Sequence, residues 1–321
     1  MRQMAQLTAG VDLGGTKIQT VVVRSRAVVG SARVPTPATG AADVVAAIAG
    51  TIEESLKQAG ASAHDLAGIG IGSPGDIDGE AGTVAHSPNV PGFQDRVELG
   101  PLVSRRVGRV PVVLDNDVRV AVLGEFRRGA GRPFRDLLGV FVGTGVGGGL
   151  ILGGKLRDGR GAAGEIGHTV VKDGGRICSC GRRGCLEAYA GRGSMERTAR
   201  RWADQGHETV LFDVMREKGR DRITSGVIAT ALEKRDRVAH RLVDEAVWAL
   251  GVALASAQNL LDLEAIIVGG GLGDRLGPPF VERIAEGMQP HLFVPEHTPA
   301  ILGTELGDLS GAVGAAVRAG G

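Results

Sequence analysis

Three cysteines, Cys178, Cys180 and Cys185, stand as C-x-C-x4-C, and they are all the cysteines of a 321-residue chain. His168 lies ten residues before the first of them. Three thiolates and one imidazole complete a tetrahedral set for Zn2+ and leave no position for water, so the metal expected here is structural. Gly181 and Gly184 supply the tight backbone of such a knuckle. Two plainer readings stand beside it. Unrelated core cysteines are possible, because free Cys packs as a small hydrophobe. A disulfide is disfavoured by the odd count and by an N-terminus that lacks the apolar core of an export signal. A loop this poor in apolar residues needs a metal to fold.

The same stretch opens with a glycine turn, Gly143-Thr144-Gly145-Val146-Gly147, after the apolar run Leu137–Val142, and carries Glu165 and Glu187. A second glycine turn, Asp12-Leu13-Gly14-Gly15-Thr16-Lys17, follows the apolar run Leu7–Val11. Such a turn lets bare backbone N–H groups approach a phosphate, with Thr16 and Lys17 as further donors. Asp12 would hold Mg2+ through water. Its plain reading is an ordinary hairpin turn. Asp115-Asn116-Asp117 ends another apolar run, and there the plain reading of Asp117 is a helix N-cap. Asn89 offers an amide in a polar loop. Gly269-Gly270-Gly271 closes an apolar run and suits a turn beneath a base or ribose.

The elements that must position these residues follow from periodicity. Leu7–Val11 and Ile18–Val23 read as a hairpin. Val44, Val45, Ile48, Ile52 and Leu56 share one face of a helix over 41–60. Strands are expected at Leu66–Ile71, ending in the turn that contains Gly75, and at Pro111–Leu114, 262–268 and Ile301–Leu302. Helices are expected after Asp117, over Leu186–Ala203, Thr209–Glu217, Thr224–Glu233, Val238–Leu261 and Leu309–Ala319. A glycine turn at the head of each half predicts a duplicated architecture. The composition of 129–136 marks an inter-domain crossing.

Bulk properties exclude other classes. A chain of this length that is 43% hydrophobic supports about two domains. Net charge is +1, which leaves no electrostatic footprint for nucleic acid or an acidic membrane surface. No apolar run approaches the ~18 residues of a membrane span. A cytoplasmic protein is expected.

With these pieces in place, the chain resembles the ROK family of sugar kinases and repressors, within the actin/hexokinase/Hsp70 superfamily. The likeness covers nearly the whole chain. Asp12–Lys17 resembles the family's first phosphate motif, and Gly143–Gly149 on through Gly167-His168 resembles its signature. Glu165-x-Gly167-His168 is similar to its sugar motif, Cys178-x-Cys180-Gly181-x-x-Gly184-Cys185-x-Glu187 to its zinc motif, and Gly269–Gly271 to its adenosine motif.

The resemblance implies an α/β, two-domain actin-like ATPase fold with a cleft. A small domain of residues 1–129 would be joined by the C-terminal helix at 306–321, and a larger one would span 130–305. It implies an ATP-dependent hexokinase with Mg2+ and a structural Zn2+. Asp117 would be the base, and Gly75, Asn89, Asn116, Glu165, His168 and Glu187 sugar ligands. Gly14, Gly15, Thr16, Lys17, Gly143, Thr144, Gly145, Gly147 and Gly269–Gly271 would hold ATP. His168 would serve zinc and sugar with one ring nitrogen each. A homodimer or homotetramer through the helical region is implied.

Glucose is the first expectation among sugars, with N-acetylhexosamines, fructose and allose-like sugars as alternatives. Polyphosphate is an alternative donor, although no lysine-rich groove favours it. A repressor is disfavoured because the kinase core begins at Asp12, and a non-catalytic sensor because every motif is retained. Two positions depart from the family pattern. Arg119 follows Asn116-Asp117-Val118 where the family often has Asn, which puts a cation two residues from the base that would lower its pKa. Ala188-Tyr189-Ala190-Gly191-Arg192 stands where glucose kinases often have Ala-x-x-Ser-Gly.

Overall fold

The computed structural model describes residues 6–320. The chain divides into two compact units. One comprises the chain up to Pro133, Asp158–Gly161, and everything from Asp308 on; the other comprises Phe134–Arg157 and Ala162–Gly307.

In the first unit β1 (Leu7–Leu13), β2 (Lys17–Arg24) and β3 (Ala27–Pro35) form an antiparallel meander. The chain crosses through α1 (Ala41–Gln58), whose Val44, Val45, Ile48, Ile52 and Leu56 are all buried, to β4 (Leu66–Ser73), parallel to β1. A small hairpin, β5 (Asp76–Asp78) with β6 (Thr83–Ala85), precedes α2 (Leu99–Arg106). Then β7 (Val112–Asn116) adds parallel to β4, and α3 (Asp117–Arg128) follows without a loop. The sheet order is β3-β2-β1-β4-β7.

In the second unit β8 (Leu137–Val142), β9 (Val146–Leu152) and the two-residue β10 (Lys155–Leu156) repeat the meander. The helices α4 (Glu187–Ala190), α5 (Arg192–Asp204), α6 (Leu211–Glu217), α7 (Ser225–Glu233) and α8 (Arg237–Leu261) come next. They lead to β11 (Ala265–Gly269), α9 (Gly270–Leu276), α10 (Pro278–Met288) and β12 (Ala300–Gly303). Strands β11 and β12 extend the sheet in parallel, giving the order β10-β9-β8-β11-β12. The two sheets therefore share one plan, as the paired glycine turns predict. The chain closes with α11 (Ser310–Gly320) in the first unit. It lies against bare strand backbone: a β-carbon at Gly10 would sit 1.9 Å from the Ala312 carbonyl oxygen, and one at Gly70 1.8 Å from that of Ala315.

Three expectations need correcting. Leu186–Ala203 is two helices, because Gly191 is extended and its neighbours Arg192 and Gly193 donate backbone N–H bonds back to Gly143 and Thr144. Gly269–Gly271 is not only a turn; Gly270 and Gly271 begin α9. The N-cap of α3 is Asn116, whose side chain accepts from Val118 and Arg119 N–H, and Asp117 is the first helical residue. Strand β3 and helices α2, α9 and α10 were not foreseen, since they are short, glycine-interrupted or polar. Among the described residues no helix is long and apolar enough to cross a membrane.

Candidate active site

In the first unit the β1–β2 turn closes by a bond from Gly14 N–H to the Lys17 carbonyl at 3.0 Å. Gly15 faces the Asn89 loop so closely that a β-carbon would lie 2.4 Å from the Asn89 carbonyl oxygen. That loop is pinned by Val90 and Phe93, both fully buried, which leaves Asn89 exposed. Gly75, at φ +102, presses on the Ala85 carbonyl, where any β-carbon would come to 2.5 Å. Lys17 Nζ lies 2.9 Å from Asp308 Oδ1, and Arg33 meets the other oxygen of that carboxylate at 3.3 Å. These two cations hold the Asp308 carboxyl below its ordinary range, Lys17 through a hydrogen bond first.

Asp12 is the last but one residue of β1, with Gln19 and Gly72 as its strand partners. Burial pushes its carboxyl up to about 7; the negative charge of Asp117 adds to this, Lys17 opposes it, and Asp308 adds a little more. A buried carboxylate raised by a second carboxylate nearby is a natural seat for a cation. Asn116 Oδ1 is committed to the start of α3, accepting from Val118 N–H at 3.0 Å and Arg119 N–H at 3.2 Å. Its Nδ2 is the end of that amide able to donate to a hydroxyl. Asp117 Oδ1 accepts from Val118 N–H at 2.9 Å and its side chain is half-buried. Arg119 does not simply present its charge at the turn: its guanidinium meets Asp115 at 3.1 Å and also Asp158.

In the second unit Glu187, at the start of α4, joins two motifs. Its Oε2 accepts from Val146 N–H at 3.0 Å in the second glycine turn, and Oε1 accepts from Ser179 Oγ at 2.5 Å in the cysteine loop. A side chain at Gly145 would displace Glu187, since a β-carbon there would lie 2.3 Å from Glu187 Oε2. Gly167 lies on β9 so closely that a β-carbon would come within 1.9 Å of the Val146 carbonyl oxygen. This seats the Glu165–His168 turn beside the same strand, with Glu165 exposed. The glycine turn is bridged to later helices by Arg192, which donates to Thr144 Oγ1 and Ser225 Oγ, both at 3.2 Å. Gly270 lies against Val142, just before the turn. Gly143, Thr144, Gly145, Gly147 and Gly269–Gly271 thus belong to one neighbourhood with Arg192 and Ser225. The last two were not foreseen, because an arginine and a serine on generic helices carry no local signal.

The four predicted zinc ligands come together. Donor atoms of His168, Cys178, Cys180 and Cys185 all lie within 4.8 Å of one another. Cys180 and Cys185 Sγ are 3.8 Å apart, and Cys178 Sγ is 3.7 Å from His168 Nδ1. Two thiolates on one tetrahedral zinc, with Zn–S about 2.3 Å, stand about 3.8 Å apart. Burial pushes the Cys185 thiol up to about 12 and also raises Cys178, whereas hydrogen bonds from Arg182 bring Cys180 down to about 6. Three thiolates gathered here need a divalent cation to stay ionised, so the donor set fits zinc.

A pair of sheets that each run an antiparallel meander into parallel strands, with a glycine turn in the first hairpin of each, is the actin-like ATPase fold of the hexokinases. The ROK family model matches residues 8–320, and the chain belongs to that family. It is 36% identical over 316 residues to the glucokinase of Streptomyces coelicolor, covering 97% of this chain and 96% of that one. A solved ROK family glucokinase from Streptomyces griseus, in complex with glucose and AMPPNP, superposes with a TM-score of 0.80 at 36% identity, covering 98% of this chain and 99% of that one. The N-acetylmannosamine kinase of Yersinia pestis is 32% identical over 278 residues, 85% of each chain.

Proposed function

We propose that this chain phosphorylates the 6-hydroxyl of glucose with ATP, with Asp117 as general base. The chain is a sugar kinase, transferring phosphate to a hydroxyl. The observation that carries the finer reading is the grouping in the first unit: a lysine-bearing glycine turn, and two carboxylates, Asp12 and Asp117, near enough for one to raise the other. A sugar hydroxyl is a weak nucleophile, and a carboxylate set against it takes the proton as the new O–P bond forms and the bond to ADP breaks.

Phosphoryl transfer otherwise needs positioning and neutralised charge. Gly14, Gly15, Thr16 and Lys17 offer donors to phosphate oxygens, and an incoming phosphate takes the place of Asp308 on Lys17. Gly143, Thr144, Gly145, Gly147 and Gly269–Gly271 receive the rest of the nucleotide. Mg2+, when bound, supplies charge neutralisation, and Asp12 would hold it through water. In the first unit Asn116 donates to a sugar hydroxyl through Nδ2, with Asn89 and the Gly75 backbone as further ligands; in the second, Glu165, His168 and Glu187 are the sugar ligands. Zinc would be held by His168, Cys178, Cys180 and Cys185, where it fixes the loop and orients the second nitrogen of His168. We further propose a homodimer or dimer of dimers through the helical region of the second unit, where Leu260 of α8 is 81% exposed; light scattering measures it.

The test is an ADP-release assay with Mg-ATP over a panel of hexoses and N-acetylhexosamines. A glucose signal supports the reading. A signal only with N-acetylmannosamine, the second reading favoured by the Yersinia relative, or only with fructose moves the acceptor and keeps the chemistry. Silence on every sugar with ATP, but turnover with polyphosphate, moves the donor.

A further inference from the structure

Two aspartates and two arginines close a ring in the first unit. Asp115 Oδ1 lies 3.1 Å from Arg119 Nε, and its Oδ2 lies 3.2 Å from Arg318 Nε. Arg119 Nη2 contacts Asp158 Oδ1, which stands 3.6 Å from Arg318 Nη2. Charges alternate around the ring, and it is neutral as a whole. The Asp115 and Arg119 side chains are each 9% exposed, whereas that of Asp158 is 54% exposed. The contacts at the two Nε atoms lack hydrogen-bond geometry, so charge rather than direction holds that part of the ring.

The members come from four places in the chain. Asp115 immediately precedes Asn116 and Asp117, and its Oδ1 also accepts Asn116 N–H at 2.8 Å. Arg119 is in the first turn of α3, and Arg318 is near the end of α11. Asp158 opens the four-residue stretch that lies with the first unit although the chain on both sides lies with the second. Within that stretch Gly161 N–H bonds the Asp158 carbonyl at 3.0 Å.

We propose that Arg119 and Asp158 are positioning residues for the sugar. The ring aligns the Asn116–Asp117 turn, whose first N–H is held by Asp115. This rests on the reading of Asn116 and Asp117 as site residues. Displacing reacting groups by even about 1 Å costs up to about a hundredfold, so a partial loosening is expected to show in catalysis without unfolding.

The experiment compares Asp158→Asn, Arg119→Met and the double variant in the full chain, with melting and zinc content as checks on folding. Asp158 is half exposed, so its variant folds even where Arg119→Met does not. Asp158→Asn is expected to raise the KM for the sugar about tenfold, with the KM for ATP and the acid limb of the kcat profile unchanged. The double variant is expected to be no worse than its poorer parent, because one link is broken either way. A wild-type sugar KM in Asp158→Asn overturns the proposal. So do effects of the two substitutions that multiply. An acid limb that moves upward in Arg119→Met with sugar KM unchanged also overturns it, since Arg119 would then act by its charge on Asp117. If Asp117→Asn keeps its turnover, the base assignment fails, and the ring is judged on the sugar KM of Asp158→Asn alone.

Discussion

Asp12 and Leu13 close β1, whereas Phe141 and Val142 close its counterpart β8; Asp115-Asn116 ends β7, whereas Gly303 ends its counterpart β12. One sheet plan thus appears with carboxylates at its strand ends in the first unit and with none there in the second. The carboxylates of the second unit sit on loops and helix starts, and Glu187 is satisfied by a backbone N–H and a hydroxyl. In the first unit burial, and then the charge of Asp117, raise the Asp12 carboxyl instead. The backbone plan supplies two glycine turns, and the side chains at the strand ends divide proton and cation chemistry from binding. Each prediction below breaks or sharpens that division.

The largest effect belongs to the first unit. Asp117→Ala is expected to cut kcat by at least about a hundredfold, the usual contribution of a general base, while calorimetry still registers sugar binding. More than a few per cent of residual turnover would remove Asp117 from that role. Next is the second unit's metal. Cys180→Ser is expected to lose stoichiometric zinc, measured by elemental analysis, and to unfold or inactivate the protein. A metal-free protein with full activity would exclude a structural zinc.

Much of this was legible because it is local. The cysteine spacing and the two glycine turns are each contained in a few residues, and glycine is required where backbone or a carboxylate crowds a β-carbon, as at Gly15 and Gly145. What was not legible depends on segments far apart in the chain. Asp308 finds Lys17 only because α11 returns to the first sheet, and Arg192 reaches Thr144 only because Gly191 breaks the helix. Asn116 and Asp117 are both good caps, and composition does not choose between them. The conformation does: Asn116 caps, and Asp117 falls one place inside the helix.

The two glycine turns give a paired test. Gly145→Ala drives a methyl at Glu187 Oε2, a movable side chain, whereas Gly15→Ala drives one at the Asn89 carbonyl oxygen, which is backbone. Overpacking costs about 1–3 kcal/mol. Gly145→Ala is therefore expected to raise the sugar KM about tenfold with little change in melting, and Gly15→Ala to lower the melting temperature as well. Equal behaviour of the two would mean that the turns are not differently supported.

The last effect concerns pH and is read in stability alone. The Asp12 carboxyl titrates near 7 in the fold against an ordinary 3.8. The stability associated with its protonated form is complete below about 4 and is lost as pH rises through 7, amounting to at most about 4 kcal/mol. Nucleotide-free Asp12→Asn, which cannot ionise, is expected to melt above the wild type at pH 8, and the gap narrows as pH falls toward 4. A gap that does not change with pH would show that Asp12 is not strained by ionisation.

Glu187 works as a shared joint. One of its oxygens answers the glycine turn and the other answers the cysteine loop, and its own backbone begins α4. Three stretches separated along the chain thus meet on a single carboxylate, and a displacement of any one of them is felt by the other two.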